Sequence, residues 1–225
     1  MIDPHAADNP KNGFAILLAC LVALLVVPPF FAAVERALLI QLMLSGVLMA
    51  SLYLVANNRK QLIIAGALVA PALVGSWWTG GQATGAWPVI SSVLTILFLG
   101  YIMFHLARSL VRASRVTRDM IFASICLYFM LGLSWAFIYA AIELGAPGSF
   151  SLPVDAAATA RSLLSDLSYF SYVTISTLGY GDIAPVSRVA RSWATLEAII
   201  GQFYLAIVVA RLVSLHIVSK ENASS

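Results

Sequence analysis

The stretch "TISTLGYGD", residues 174–182, places two threonine hydroxyls, two glycines, a tyrosine and an aspartate in an otherwise apolar chain. Gly179 and Gly181 can adopt positive φ angles that most other residues resist. Alternating backbone conformations can turn successive carbonyl oxygens toward one axis, where they can replace the water shell of a bare cation. The segment therefore predicts a cation site whose ligands are backbone carbonyls.

The composition predicts an integral membrane protein. Of 225 residues, 61% are hydrophobic and only 10% are charged, whereas a soluble domain carries about a quarter charged residues. The pI of about 9.0 does not indicate a nucleic-acid partner, because the basic residues stand at the ends of apolar runs. The sequence holds no metal cluster, phosphate loop or nucleophile constellation, so we do not expect an enzyme.

Six apolar runs are long enough, or nearly so, to cross a membrane, which takes roughly 20 residues. They are 14–31, 38–56, 61–78, 88–107, 120–142 and 193–218. More Lys and Arg residues fall on the side that holds both termini, and the positive-inside rule places that side in the cytoplasm. The prediction is an all-α, multi-pass protein of the plasma membrane, which is the inner membrane if the source is bacterial.

These runs divide the chain into five regions. They are a cytoplasmic N-terminus (1–13), a four-helix membrane domain (14–107), a basic cytoplasmic linker (108–119), a pore domain (120–218) and a short tail (219–225). The linker carries Arg108, Arg112, Arg115 and Arg118. These four side chains predict either a contact with anionic lipid or a topology signal alone.

The segment "ARSLLSDLSYFSYVTIS", between the fifth and sixth spans, predicts a short helix with Ser165 or Asp166 capping its start. The helix is too short to span, so it must enter the membrane and return. Non-helical backbone at membrane depth is tolerated only where it is buried in protein or lines a watery cavity. We therefore expect a re-entrant pore helix followed by a filter loop.

The same stretch resembles the potassium-channel signature T-x-x-T-x-G-Y-G-D. The fixed positions are Thr174, Thr177, Gly179, Tyr180, Gly181 and Asp182, while Leu178 replaces the commonest valine. The resemblance covers about 118–220 and is strongest to two-pore-domain and small bacterial potassium channels. It implies a homotetramer with potassium as the bound ion. The implied ligands are the carbonyls of Thr177, Leu178, Gly179 and Tyr180.

The resemblance also assigns supporting roles around the filter. It implies that Asp182 bonds to Tyr169 on the pore helix. Phe170 stands where voltage-gated relatives often have tryptophan, and because phenylalanine cannot donate, one bond to Tyr180 is expected to be missing. Glu143 is expected to brace the outer filter by accepting backbone N–H bonds, or else to be an interfacial carboxylate facing water.

The last span carries the candidate gating residues. Gly201 matches the family's hinge glycine, although close helix packing would also select glycine. Glu197, one turn earlier, is an intramembrane acid and hence a functional hypothesis. It is expected near Arg191, near pore-helix hydroxyls or between subunits, as a protonation-sensitive gate or a neutral structural carboxyl. Cavity-facing positions are predicted at Gln202, Leu205 and Val209.

The fourth span, "WPVISSVLTILFLGYIMFHLA", carries no Arg or Lys, unlike a voltage sensor. The expected function is passive, potassium-selective conduction with little or no voltage dependence. Two alternatives remain open: a non-conducting regulatory subunit, and a voltage-gated channel that uses the cluster Arg108–Arg118. Arg211 is expected to snorkel to the inner membrane interface.

Overall fold

The computed structural model describes residues 13–31, 33–55, 59–78, 86–113, 116–152 and 160–224. The elements are α1 (Gly13–Val26), a 3₁₀ turn (Pro28–Phe30), α2 (Ala33–Val55), α3 (Arg59–Trp78), α4 (Trp87–Arg112), α5 (Arg118–Gly145), β1 (Phe150–Ser151), α6 (Ala160–Ile175), β2 (Ala184–Pro185) and α7 (Arg188–Ser224). The expected all-α class is confirmed for this part of the chain. Residues 1–12 of the predicted N-terminus, and Arg115 of the predicted linker, lie outside it.

Local sequence signals explain where the later helices begin. Pro88 occupies the first turn of α4, where its missing N–H costs no helical hydrogen bond. The hydroxyl of Thr117 accepts from the backbone N–H of Met120 at 3.2 Å and caps α5. Ser187 does the same for α7, accepting from Ala190 N–H at 3.1 Å.

Helix α5 is the centre of the packing, because it contacts α1, α4, α6 and α7. Its N-terminal half joins the larger apolar core, in which Cys126 and Met130 pack with Phe98, Leu99 and Ile102 of α4. The first four helices are therefore attached to the rest of the chain chiefly by apolar burial, which is favourable but not directional.

A second, aromatic core fixes α6. Phe170 of α6 packs edge-on against Tyr139 of α5 and Phe150 of β1, with ring centroids 5.2 and 5.4 Å away. Tyr139 and Phe150 also meet at 5.2 Å. Leu167 and Ile183 belong to the same cluster, so α6 and the chain that follows it are positioned by one group of side chains.

Three helices of the described chain are long and apolar enough to cross a membrane: α4, α5 and the part of α7 over Arg188–Leu215. Gly13–Val26 and Leu38–Leu54 are shorter apolar helices. The membrane class expected from composition is thus confirmed.

Two sequence predictions about boundaries differ from the structure. Helix α4 continues through Arg112 and α5 begins at Arg118, so much of the predicted linker 108–119 is helical. The prediction that Ser165 or Asp166 caps the pore helix is wrong, because α6 begins at Ala160. Its apolar face starts before those residues, and an amphipathic helix continues as far as the face it buries.

Candidate functional site

The backbone after α6 alternates in conformation over five residues. Thr177, Gly179 and Gly181 have φ angles of 62°, 58° and 80°. Leu178 and Tyr180, between them, are not among the positive-φ residues. Positive φ is uncommon for a residue with a side chain, so Thr177 is held in a strained conformation by its surroundings.

The carbonyl oxygens of residues 177–180 have no hydrogen-bond donor among the residues that the structure describes. The backbone N–H groups at the start of this segment are hydrogen-bonded to the end of α6. Leu178 and Gly179 donate to the carbonyl of Val173 at 2.9 and 3.3 Å, and Thr177 donates to the carbonyl of Thr174 at 3.0 Å. Within the described residues, none of the carbonyl oxygens of 177–180 accepts a hydrogen bond. Those four oxygens are available to a ligand, and the alternating φ angles are the arrangement that successive aligned carbonyls need.

The predicted contact beyond the glycines is present. The hydroxyl of Tyr169 on α6 donates to a carboxylate oxygen of Asp182 at 2.8 Å. This hydrogen bond lowers the pKa of Asp182 below its ordinary value. The bond ties the end of the 177–181 segment back to the helix that precedes it.

Glu143 is buried at the end of α5 and accepts two backbone N–H bonds, from Gly148 at 2.7 Å and Phe150 at 3.0 Å. Gly148 lies in the loop after α5, and Phe150 is the first residue of β1. Strand β1 pairs with β2, which follows Asp182. Glu143 therefore braces the loop after α5 directly, and in the described chain it reaches the 177–182 segment through β1 and β2.

Phe170 is buried in the aromatic cluster with Tyr139 and Phe150. Tyr180 is 67% exposed, and no hydrogen bond to its hydroxyl is recorded within the described residues. In the single chain, Phe170 thus serves apolar packing.

Gly201 lies against the end of α6. A Cβ at this position would meet the carbonyl oxygen of Ile175 at 2.7 Å and its side chain at 2.6 Å. Of the two readings of this glycine, the geometry gives direct support to close packing. The hydroxyl of Tyr128 donates to the same Ile175 carbonyl at 3.3 Å, so the C-terminus of α6 is held from two helices.

Glu197 is fully buried, and its partners are hydroxyl groups. One oxygen lies 2.5 Å from Ser171 Oγ of α6, and the other bonds to the hydroxyl of Tyr139. The side chain of Arg191 instead donates to the Pro185 carbonyl at 3.2 Å. Of the three expected locations for this acid, the one near pore-helix hydroxyls is what the structure has.

The predicted cavity-facing positions of α7 are exposed in the single chain, as are many of their neighbours. Gln202 is exposed, and Leu205 and Val209 are 42% and 57% exposed. Only 6% of an 18-residue apolar stretch of α7 is buried within the chain. The helix thus offers a long apolar surface without a partner in the described part of this chain.

Arg211, which is expected to snorkel to the inner membrane interface, contacts the C-terminal end of α4. Its guanidinium donates to the carbonyls of Leu110 at 3.3 Å, Ala113 at 3.1 Å, and Val111. These carbonyls lie at the C-terminal end of α4, where backbone acceptors lack helical partners and a positive charge is favourable. These backbone partners were not predicted, and the position of Arg211 relative to a membrane stays a prediction.

Sequence reasoning missed the residues that hold α6 in place. They are Tyr128, Gly132 and Tyr139 on α5, and Ser171 and Tyr172 on α6. Tyr172 donates to the Phe129 carbonyl at 2.8 Å and lies on Gly132, where a Cβ would meet its ring at 2.5 Å. The spacing of 4, 7 and 11 residues along α5 puts its three members on one helical face, a signal that the sequence did contain.

Comparison with known proteins agrees with this geometry. The family model described as "Ion channel" matches residues 90–217, from α4 to α7. Protein LctB of Geobacillus stearothermophilus is 31% identical over 122 residues, which cover 54% of this chain and 90% of that protein. Protein LctB of Bacillus caldotenax is 32% identical over 100 residues, covering 44% and 74%. No solved structure matches significantly. The family match spans more than half of the chain and includes the whole 174–182 segment, and the chain therefore belongs to the ion channel family.

Proposed function

We propose that four copies of this chain form a potassium-selective channel that conducts passively down the electrochemical gradient. The observation that carries the proposal is the segment 177–181. There φ is positive at every second residue, and four consecutive carbonyls accept no hydrogen bond from the described part of the chain. Such carbonyls can replace the hydration shell of K⁺. In this proposal the ligands are the oxygens of residues 177–180.

One chain supplies one strand of carbonyls, so a closed ring needs several copies. The exposure of Leu178 and Tyr180, at 59% and 67%, supports an arrangement in which neighbouring chains cover them. The unburied surface of α7 supports it as well, with Gln202, Leu205 and Val209 as candidates for the cavity and the rest for contacts between subunits. Cyclic symmetry closes such a ring without leaving unpaired interfaces.

Helix α6 contributes electrostatically. Its C-terminus, at Ile175, directly precedes the 177–181 segment. The negative end of the helix dipole would point to the cavity in which a hydrated cation waits. Four such ends aimed at one point would favour a cation over an anion.

In the proposed topology α1–α5 and α7 make six crossings and α6 is re-entrant, with both termini in the cytoplasm of a plasma membrane, or inner membrane in a bacterium. Exposed basic residues support this orientation at the ends of two connections. They are Arg59 and Lys60 at the start of α3, Arg108 and Arg112 at the end of α4, and Arg118 at the start of α5. The latter three would meet anionic lipid headgroups.

We propose that voltage has little influence, because α4 carries no charge before Arg108. Each elementary charge that crosses the field contributes about 2.3 kcal/mol per 100 mV. One observation favours the voltage-gated alternative: α4 continues unbroken through Arg108 and Arg112, so a shift along its axis would carry both toward the field.

The test is ion flux from the purified chain reconstituted in liposomes, with K⁺ and Na⁺ gradients compared at several voltages and the subunit number determined by native mass measurement. We expect a tetramer that passes K⁺ far faster than Na⁺ at all voltages. A steep voltage dependence that disappears in the double variant Arg108→Gln, Arg112→Gln would establish the alternative instead.

A matched pair of glycine variants isolates the filter. Gly179→Ala adds a methyl group where φ is 58°, whereas Gly100→Ala on α4 adds one where nothing lies within 4 Å. We expect the first to abolish selectivity and the second to keep it. Equal K⁺ and Na⁺ flux in the unaltered tetramer would refute the proposal.

A further inference from the structure

Three helices meet behind the filter at one buried acid. Glu197 of α7 has no exposed surface. Its Oε1 lies 2.5 Å from Ser171 Oγ of α6, and its Oε2 bonds to the hydroxyl of Tyr139 of α5. Ser171 Oγ also lies 2.7 Å from the carbonyl oxygen of Gly132 on α5. The three contacts form a continuous chain of four oxygen-bearing groups.

The number of available protons decides which group donates in each of these three contacts. A carbonyl oxygen only accepts, and each hydroxyl has one proton to donate. If Glu197 is ionised, Tyr139 donates to one oxygen, but Ser171 has a single proton for both Gly132 and Glu197. If Glu197 carries a proton, every contact is a hydrogen bond. Tyr139 then donates to Glu197, Glu197 to Ser171, and Ser171 to Gly132.

The ionised form would also leave a buried charge without a counter-charge. Burying a carboxylate is costly unless it is paired and fully hydrogen-bonded. None of the interactions recorded for Glu197 within the described chain involves a basic side chain. The titratable groups that face it are the phenols of Tyr128 and Tyr139 on α5 and Tyr172 on α6.

We infer that Glu197 is a protonated acid whose hydrogen bond to Ser171 locks α6 against α5 and α7, and that loss of this proton releases the pore helix. Glu197 is thus a positioning residue. It acts through Ser171, six residues before Thr177, and it touches no permeating ion. The consequence for conduction rests on the proposed channel function, while the protonation itself does not.

Infrared spectroscopy tests the protonation directly. The purified wild-type protein at neutral pH should show the carbonyl stretch of a protonated carboxylic acid, and Glu197→Gln should lack it. Glu143→Gln is the matched control, because Glu143 accepts from two N–H groups and is an acceptor only, so its loss should leave the acid band in place.

A second variant keeps this test decisive if Glu197→Gln does not fold. Ser171→Ala retains the acid but removes its acceptor, so the acid stretch should move to higher wavenumber. A wild-type spectrum without an acid band, or a band that both Glu197→Gln and Ser171→Ala leave unchanged, would overturn the inference.

The effect on conduction is measured as K⁺ and Na⁺ flux against pH in liposomes. The K⁺/Na⁺ ratio of wild type should fall as pH rises and the proton is lost. Glu197→Gln keeps a donor for Ser171 and an acceptor for Tyr139, so its ratio should equal that of wild type at neutral pH and stay flat at alkaline pH. Glu197→Ala removes the acceptor of Tyr139 and the donor to Ser171, and its K⁺ flux should fall about tenfold.

The outcomes of the two experiments separate the claims. An acid band without selective flux would refute the proposed channel and leave the protonated Glu197 standing. Selective flux whose alkaline decline persists in Glu197→Gln would leave the channel standing and refute the positioning role.

Discussion

Helices α5–α7 and the leading helices α1–α4 are held together in different ways. In the first region, side-chain hydrogen bonds connect one helix to another. They run from Tyr128 to Ile175 at 3.3 Å, from Tyr172 to Phe129 at 2.8 Å and from Tyr204 to Ser124 at 2.5 Å. Each ends on a backbone carbonyl, so the bonds fix the position of one backbone relative to the next.

In the leading helices most recorded hydroxyl bonds stay within one helix. Examples are Ser51 to Val47 at 2.7 Å in α2 and Thr95 to Ser91 at 2.8 Å in α4. Such bonds satisfy the hydroxyl without tying two helices together. An exception in the described residues is the indole of Trp77, which donates to Ser45 at 3.4 Å.

The difference matches what the proposed channel requires of each region. The proposed row of carbonyl ligands has to be placed accurately, and directional bonds supply that accuracy. Apolar contacts stabilise a helix bundle but tolerate small shifts, because burial depends on area and only weakly on angle. Variants that disturb contacts between helices should therefore have their largest effects in α5–α7. Four experiments test this expectation.

The largest expected effect is at Gly201. Gly201→Ala would push a methyl group into the Ile175 carbonyl, so we expect a loss of about 3 kcal/mol in stability, at the upper end for overpacking, together with loss of flux. Gly66→Ala on α3, where nothing lies within 4 Å, should be neutral or stabilising by up to about 1 kcal/mol. Thermal denaturation in detergent measures both, and equal effects would break the comparison.

Arg211 links the two regions by polar bonds, and its removal should come next. Arg211→Gln takes away the donor to the carbonyls of Leu110, Val111 and Ala113, and because Arg211 is half-buried we expect a cost of about 1–2 kcal/mol. Amide hydrogen exchange at the end of α4 should quicken. The exposed Arg118 is the control, and faster exchange in Arg118→Gln but not in Arg211→Gln would contradict the assignment.

A smaller effect is expected from Tyr172→Phe. The ring stays on Gly132 but the bond to the Phe129 carbonyl is lost, which should cost about 1 kcal/mol and lower the denaturant midpoint. Tyr53→Phe on α2, where the side chain is 70% exposed, should leave the midpoint unchanged. If both variants shift it equally, the bonds between helices carry no special weight.

The smallest effect concerns Asp182. The bond from Tyr169 holds the pKa of Asp182 below its ordinary value, so its contribution is present at neutral pH and disappears as pH falls through that lowered pKa. Tyr169→Phe should raise the pH at which Asp182 titrates, measured by NMR of the labelled carboxyl. Titration of Asp182 at an unchanged pH in the variant would show that the bond does not hold this carboxylate.

The sequence was most informative where one residue type is required by local geometry. The positive φ angles of Gly179 and Gly181 and the short helix before them could be predicted from residues close together in the chain. The contact from Tyr169 to Asp182 was implied by the family resemblance. The positive φ of Thr177 was not predicted, because positive φ is uncommon for a residue with a side chain and the residue type does not indicate it.

Contacts between distant segments were harder to foresee. Whether Glu197 met an arginine, a hydroxyl or another subunit depended on how α5, α6 and α7 cross, and hydrophobic periodicity does not determine that crossing. The same reason explains Arg211, whose partners lie about a hundred residues earlier in the chain. The start of α6 was misplaced because polar residues within a helix resembled a cap.

The contact between Gly201 and the Ile175 carbonyl is a point about which α7 can pivot. A lengthwise slide would bring a Cβ against that carbonyl, so the motion left to the helix is a pivot about this point. Arg211 lies ten residues further on, which is a lever arm of about 15 Å at 1.5 Å per residue. A pivot of about 10° would then displace Arg211 by about 2.6 Å, close to the length of a hydrogen bond. A small rotation of α7 next to the 177–181 segment would therefore break the hydrogen bonds that connect α7 to α4.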